Sequence, residues 1–106
     1  MAEPKFLLEV VTPDGVVLSE EVASVRAPGG NGQFGVLANH APMITTLDIG
    51  YIEARDTDRF FLLATSGGFA EVLPEKTTIL AETAEIGASI DRERAQAALD
   101  RARERL

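Results

Sequence analysis

The feature that most constrains this chain is a succession of short apolar–polar alternating segments, each closed by turn residues, across residues 6–83. Phe6, Leu8 and Val10 alternate with Leu7, Glu9 and Val11, the period-two pattern of a strand with one strongly buried face. Thr12-Pro13-Asp14-Gly15 then supplies a turn with a mechanism, since Pro presets φ and Gly accepts conformations closed to other residues. Residues 16–18 and 22–27 read as the next strands, and Pro28-Gly29-Gly30-Asn31-Gly32 interrupts regular structure. Residues 33–37, 43–47, 51–55, 60–65, 69–73 and 77–83 follow as further strands. Strands at this spacing predict an antiparallel β-sandwich or barrel. With no helix-period segment between them, a parallel α/β sheet is not expected.

The period changes near residue 84. Residues 1–84 are therefore assigned to the β-domain, 85–90 (Glu85-Ile86-Gly87-Ala88-Ser89-Ile90) to a linker, and 91–106 to a C-terminal helix. Ala95, Ala98, Leu99, Ala102 and Leu106 recur at spacings of three and four, one stripe of an amphipathic helix. Asp91 is placed to cap its N-terminus by accepting from free backbone N–H groups. At ~1.5 Å per residue the helix is roughly 24 Å long. A helix this short is marginal alone in water, so it is expected to dock on something.

Charge narrows the choice of partners. Residues 1–90 carry five basic and thirteen acidic side chains, whereas 91–106 carry five arginines and four acids. An acidic body does not displace counterions from a phosphate backbone, which argues against nucleic acid. There is no cysteine, hence no disulfide framework and no thiolate metal site, which favours a reducing compartment. Met1-Ala2-Glu3-Pro4-Lys5 does not read as a signal peptide, and no stretch approaches the ~20 apolar residues of a membrane helix. Membrane association is expected only through partners.

Gly30-Asn31-Gly32-Gln33-Phe34-Gly35 matches G-x-G-x-x-G, with Asp56 about 20 residues on, the pattern of a dinucleotide fingerprint. That chemistry needs a helix opening at the second glycine, to hold the pyrophosphate at its N-terminus. Here a strand follows and then Asn39-His40-Ala41-Pro42, where Pro disfavours helical geometry before it. The glycines read better as a loop that lets a partner's backbone come close. His40 is the only histidine, and its bland reading is a loop residue bonded to neighbouring backbone. Ala64 stands where a nucleophile elbow at Ser66 would need glycine. No catalytic residue and no metal site can be assigned, and no carboxylate pair is brought together by sequence alone.

Several ordered segments resemble the epsilon-subunit family of bacterial and chloroplast F-type ATP synthases, whose mitochondrial counterpart is called delta. They are Leu8-Glu9-Val10-Val11-Thr12-Pro13, then Gly32-Gln33-Phe34-Gly35-Val36-Leu37-Ala38-Asn39-His40-Ala41-Pro42, then Ser66-Gly67-Gly68-Phe69-Ala70-Glu71-Val72. Ala81-Glu82-Thr83-Ala84 and Ile90-Asp91-Arg92-Glu93-Arg94-Ala95 follow in the order the family shows. The resemblance implies a ten-stranded sandwich followed by helices, and a non-catalytic place in the central stalk. It implies contact with the gamma subunit and the c-ring, transient contact with the alpha/beta catalytic head, and a peripheral position on the cytoplasmic face of the bacterial inner membrane. Such a subunit turns with the rotor and links ring rotation to the catalytic head.

Carried over by position, Asn31, Gly32 and Gln33 match the loop that touches the c-ring, and Thr12, His40, Thr45 and Ser66 match the face toward gamma. Many relatives carry glutamate where this chain has Gln33, so a charge-assisted bond to a ring arginine is expected to be missing. In some bacterial relatives the I-D-x-x-R-A segment binds regulatory ATP. The matching positions are Glu85, Ile90, Asp91, Arg94, Ala95 and Arg101, with arginine forks suited to phosphate. The bland alternative is a capping Asp91 and a solvated arginine face. No other cofactor is implied. Typical relatives have two tail helices; one is expected here, which leaves an inhibitory tail without its second helix.

Overall fold

Period-two patterning does what it dictates, and the chain becomes a sequence of paired strands. In a computed structural model, which describes residues 4–91, they are β1 (Phe6–Thr12), β2 (Gly15–Val22), β3 (Ser24–Gly29), β4 (Gly32–Leu37), β5 (Met43–Leu47), β6 (Gly50–Arg55), β7 (Arg59–Thr65), β8 (Gly68–Val72), β9 (Lys76–Ala81) and β10 (Ala84–Asp91). One ladder runs β10-β7-β6-β3-β5-β8-β9-β1-β2, with β4 paired to β3. All pairs are antiparallel except β1–β9, which is parallel from Leu7↔Lys76 to Val11↔Leu80.

β3 pairs in register with β5 only at Gly29↔Leu47, and about that point the ladder folds into two layers. One layer is β4-β3-β6-β7-β10 and the other β5-β8-β9-β1-β2. Backbone bonds reinforce this corner: Gly30 N–H donates to the Thr46 carbonyl at 3.2 Å, and Asp48 N–H to the Pro28 carbonyl at 2.9 Å. On the opposite side β10 approaches β1 and β2 without pairing to them.

The alternation read in the first strand is real: Phe6, Leu8 and Val10 point into the core with Val22, Val25, Val36, Ile52, Leu63, Val72 and Ile79. Fully burying a side chain of this size contributes roughly 1.5–3 kcal/mol. Thr77 is buried among them, its hydroxyl without a hydrogen-bond partner. β7 departs from alternation, because Phe60, Phe61, Leu62 and Leu63 are all buried.

The strands converge on two unlike ends. At one lie the turns after β1, β3, β5, β7 and β9, which together with the strand ends beside them hold seven of the nine glycines. At the other, Lys5 Nζ meets Asp56 Oδ1 at 2.8 Å, Arg59 Nη2 meets Glu20 Oε2 at 3.1 Å, and Arg59 also lies 3.7 Å from Asp56 Oδ2. Lying against Asp56 raises the Lys5 pKa, and the same contact holds the Asp56 carboxyl below its ordinary value although burial pushes it up. These ends are called the glycine end and the ionic end below.

Two expectations change. Residues 85–90 are not a linker: they lie in β10, which pairs with β7 from Ala84↔Thr65 to Asp91↔Arg59. The register shifts between Ile86 and Ala88, a bulge at Gly87, so alternation loses its phase there and the segment does not read as a strand. Asp91 closes this strand at its backbone. The helix it was expected to cap, over 91–106, lies from residue 92 onward outside the described residues, among which there is no helix.

Candidate interaction surface

The outer face of the β5-β8-β9-β1-β2 layer carries an unbroken cross-strand row. Val16 on β2 pairs with Val11 on β1, Val11 with Leu80 on β9, Leu80 with Phe69 on β8, and Phe69 with Thr46 on β5. Val16 is 61% exposed, Phe69 56% and Leu80 52%; Ile44, two residues before Thr46, is 73% exposed. Large apolar side chains left contiguous and wet on a sheet face mark an interaction surface. The row lies near the glycine end, where Thr12, Pro13, Gly68 and Glu82 border a shallow groove beside Phe69 and Leu80.

Local chemistry builds that border. Gly67 and Gly68 have φ of +109° and +148°, and a Cβ at Gly68 would collide with the Leu80 carbonyl oxygen. Only glycine lets the β8 backbone lie so close to β9, where Phe69 and Leu80 meet. Ser66 staples the neighbouring turn: its N–H donates to the Thr83 carbonyl at 3.2 Å, and its Oγ accepts from the Thr83 N–H at 3.0 Å. Thr12 Oγ1 accepts from the Asp14 N–H at 3.2 Å, fixing the β1–β2 turn.

The expected contact residues separate into groups. Asn31, Gly32 and Gln33 form the tip and exit of the β3–β4 hairpin at the glycine end, where Gly29 pairs with Gly32 and Gly32 has φ +117°. No helix opens after Gly32, since Gly32–Leu37 is a strand, so the dinucleotide geometry is absent. Thr12 and Ser66 lie at the same end, Thr12 beside the apolar row and Ser66 in the turn before β8. Thr45 sits on β5 opposite Ala70, half-buried.

His40 lies toward the ionic end, in the β4–β5 connection, where Asn39 adopts φ 64° and its N–H donates to Pro74. The His40 Nδ1 lies 2.7 Å from the Ala41 carbonyl, the local backbone bond expected of a loop histidine. Glu85 is exposed near the start of β10 and Ile90-Asp91 end it, so these positions are strung along one extended strand. Arg94, Ala95 and Arg101 lie outside the described residues. Among the described residues no cluster of His, Cys, Asp or Glu could hold a metal ion.

Sequence reasoning did not single out Val11, Val16, Leu80 or Phe69. A local signal existed: Val10-Val11, Val16-Val17-Leu18 and Ile79-Leu80-Ala81 are apolar on both faces, where a half-wet sheet should alternate.

The family model described as "ATP synthase, Delta/Epsilon chain, beta-sandwich domain" matches residues 5–87. The ATP synthase epsilon chain of Desulfitobacterium hafniense (strain Y51) is 52% identical over 101 residues, 95% of this chain and 76% of that one. The ATP synthase epsilon chain of Carboxydothermus hydrogenoformans is 53% identical over 102 residues, 96% of this chain and 76% of that one. Among solved structures, a chain of the Euglena gracilis mitochondrial ATP synthase, OSCP/F1/c-ring, superposes with TM-score 0.75 at 28% identity, covering 98% of this chain and 67% of its own. A chain of the Tetrahymena thermophila mitochondrial ATP synthase central stalk/c-ring shares the fold at TM-score 0.64 and 13% identity, covering 98% of this chain and 92% of its own.

Proposed function

The chain belongs to the ATP synthase delta/epsilon family, and from that premise we propose that it is a non-catalytic rotor subunit joining the gamma subunit to the c-ring. The observation that carries the proposal is the Val16–Val11–Leu80–Phe69 row, a contiguous exposed apolar band on a chain of net charge −7. Such a band suits a permanent protein partner, with Phe69 as the aromatic anchor of the contact. Gamma is the partner we assign to it. Thr12 and Ser66 rim that contact near the glycine end, and Ile44 extends it along β5 toward His40, while Thr45, on the other face of β5 opposite Ala70, supports it from beneath.

The hairpin tip Asn31-Gly32-Gln33 meets the c-ring loops in this scheme, which needs the glycine end to face the membrane. No helix among the described residues is long and apolar enough to cross a membrane, so attachment to the cytoplasmic face of the bacterial inner membrane runs through the ring. Torque transfer requires rigidity, which a sandwich with backbone-locked turns supplies. The proposal assigns the chain no chemical step of its own.

Titration calorimetry against purified gamma tests this. Wild type is expected to bind at micromolar concentration or tighter, and Leu80→Asp, at an exposed site, to weaken binding at least tenfold while the circular dichroism spectrum is unchanged. Absence of affinity in the wild type would sink the proposal.

A further inference from the structure

Beside the apolar row runs a second one: Ser19 on β2, Glu9 on β1, Thr78 on β9, Glu71 on β8 and Ile44 on β5. Its two glutamates differ. Glu9 is answered within the chain, its Oε1 lying 2.7 Å from Lys76 Nζ. Glu71 is exposed, lies two residues from Phe69 and directly opposite Ile44, and has no ion-pair partner among the described residues. Phe69 and Ile44 are 56% and 73% exposed, so a partner that covers them also covers the carboxylate between them.

A carboxylate taken out of water without a counter-charge costs several kcal/mol, more than the adjoining apolar contact returns. An interface over this face therefore closes only if the partner brings a cation to Glu71. We propose that Glu71 is the specificity determinant of the face: the partner surface is an apolar ridge flanked by a lysine or arginine that pairs with Glu71 in the complex. This rests on the assignment of the face to gamma, and adds the chemistry by which gamma is told from other apolar surfaces. Glu9, already neutralised by Lys76, contributes little to that choice. A desolvated ion pair at the edge of an apolar contact sets register and rejects partners that lack the cation.

The test is calorimetric titration of gamma into wild type, Glu71→Gln, Glu71→Lys, Glu9→Gln and Leu80→Asp, each at low and high salt. Glu71→Gln is expected to weaken binding about tenfold or more and to flatten its salt dependence. Glu71→Lys should weaken it further, and Glu9→Gln less than threefold. Thermal unfolding of the free Glu71 variants should match wild type, since the side chain has no partner to lose. If wild type binds, Leu80→Asp does not, and Glu71→Gln leaves both affinity and salt slope unchanged, the inference fails while the gamma assignment stands. If wild type itself does not bind gamma, both fall together.

Discussion

The two ends of this sandwich are held by different forces. At the glycine end the turns close through backbone geometry, with Gly30 bonded to Thr46 and Asp48 to Pro28 across the corner and Gly68 pressed against the Leu80 carbonyl. At the ionic end closure is by side chains, Lys5 to Asp56 and Arg59 to Glu20, across a gap that no strand pairing bridges. Of the five basic residues described, Lys5, Arg55, Arg59 and Lys76 are at the ionic end and Arg26 lies partway along β3. Asp14, Asp48 and Glu82 mark turns of the other. Backbone bonds fix position and are indifferent to salt, whereas exposed ion pairs can be tuned and screened. The end assigned to the c-ring is thus the one whose shape is set by geometry.

The contrast breaks most easily at Gly68. Gly68→Ala combines backbone strain of about 1–3 kcal/mol with overpacking of about 1–3 kcal/mol, so urea denaturation should show a loss of roughly 2–6 kcal/mol. A loss under about 0.5 kcal/mol, the scatter of ordinary surface substitutions, would mean the glycine end is not geometrically constrained. Asp56→Asn removes the centre of the ionic cluster and should cost about 0.2–1 kcal/mol, as partly exposed pairs do. Raising salt from about 0.05 M to about 1 M should shrink the Asp56→Asn deficit and leave that of Gly68→Ala unchanged.

The smallest effect is with pH. Asp56 titrates below its ordinary value in the folded chain, so its contribution is complete above that value and fades as pH falls through the lowered one. Lys5 titrates above its ordinary value, and its share fades as pH rises through the raised one. Asp56→Asn should therefore flatten the acid limb of a stability–pH curve, and Lys5→Met both limbs. An unchanged acid limb in Asp56→Asn would show that other carboxylates control it.

How far these ends could be read beforehand follows from the range of each signal. Strand positions were legible because side-chain alternation is local, as in Phe6, Leu8 and Val10. β2 runs on to Val22 although Ser19-Glu20-Glu21 reads as polar, because an edge strand keeps one side wet. β10 was lost at the Gly87 bulge. The turn residues gave away the glycine end, but not that Gly30 and Asp48 lock one corner, since that needs β3 and β5 side by side. The residues of the apolar row left a local signal, but their assembly into one row did not. Val11 meets Leu80 only because β1 and β9 run parallel, and nothing near either residue announces its partner.

That same parallel pairing has a consequence for how the molecule comes into being. β1 sits inside its layer, flanked by β2, which follows it at once, and by β9, which is made when most of the described chain has already been synthesised. Closing so long a loop is entropically slow, and contacts of high sequence separation set the pace of folding. A nascent chain can form the β1–β2 hairpin early, yet one flank of Phe6–Val11 stays an open, apolar template until Lys76–Ala81 arrives. The interval between the two is when the newborn chain is most exposed to chaperones and to aggregation, and slowing translation before residue 76 would lengthen it.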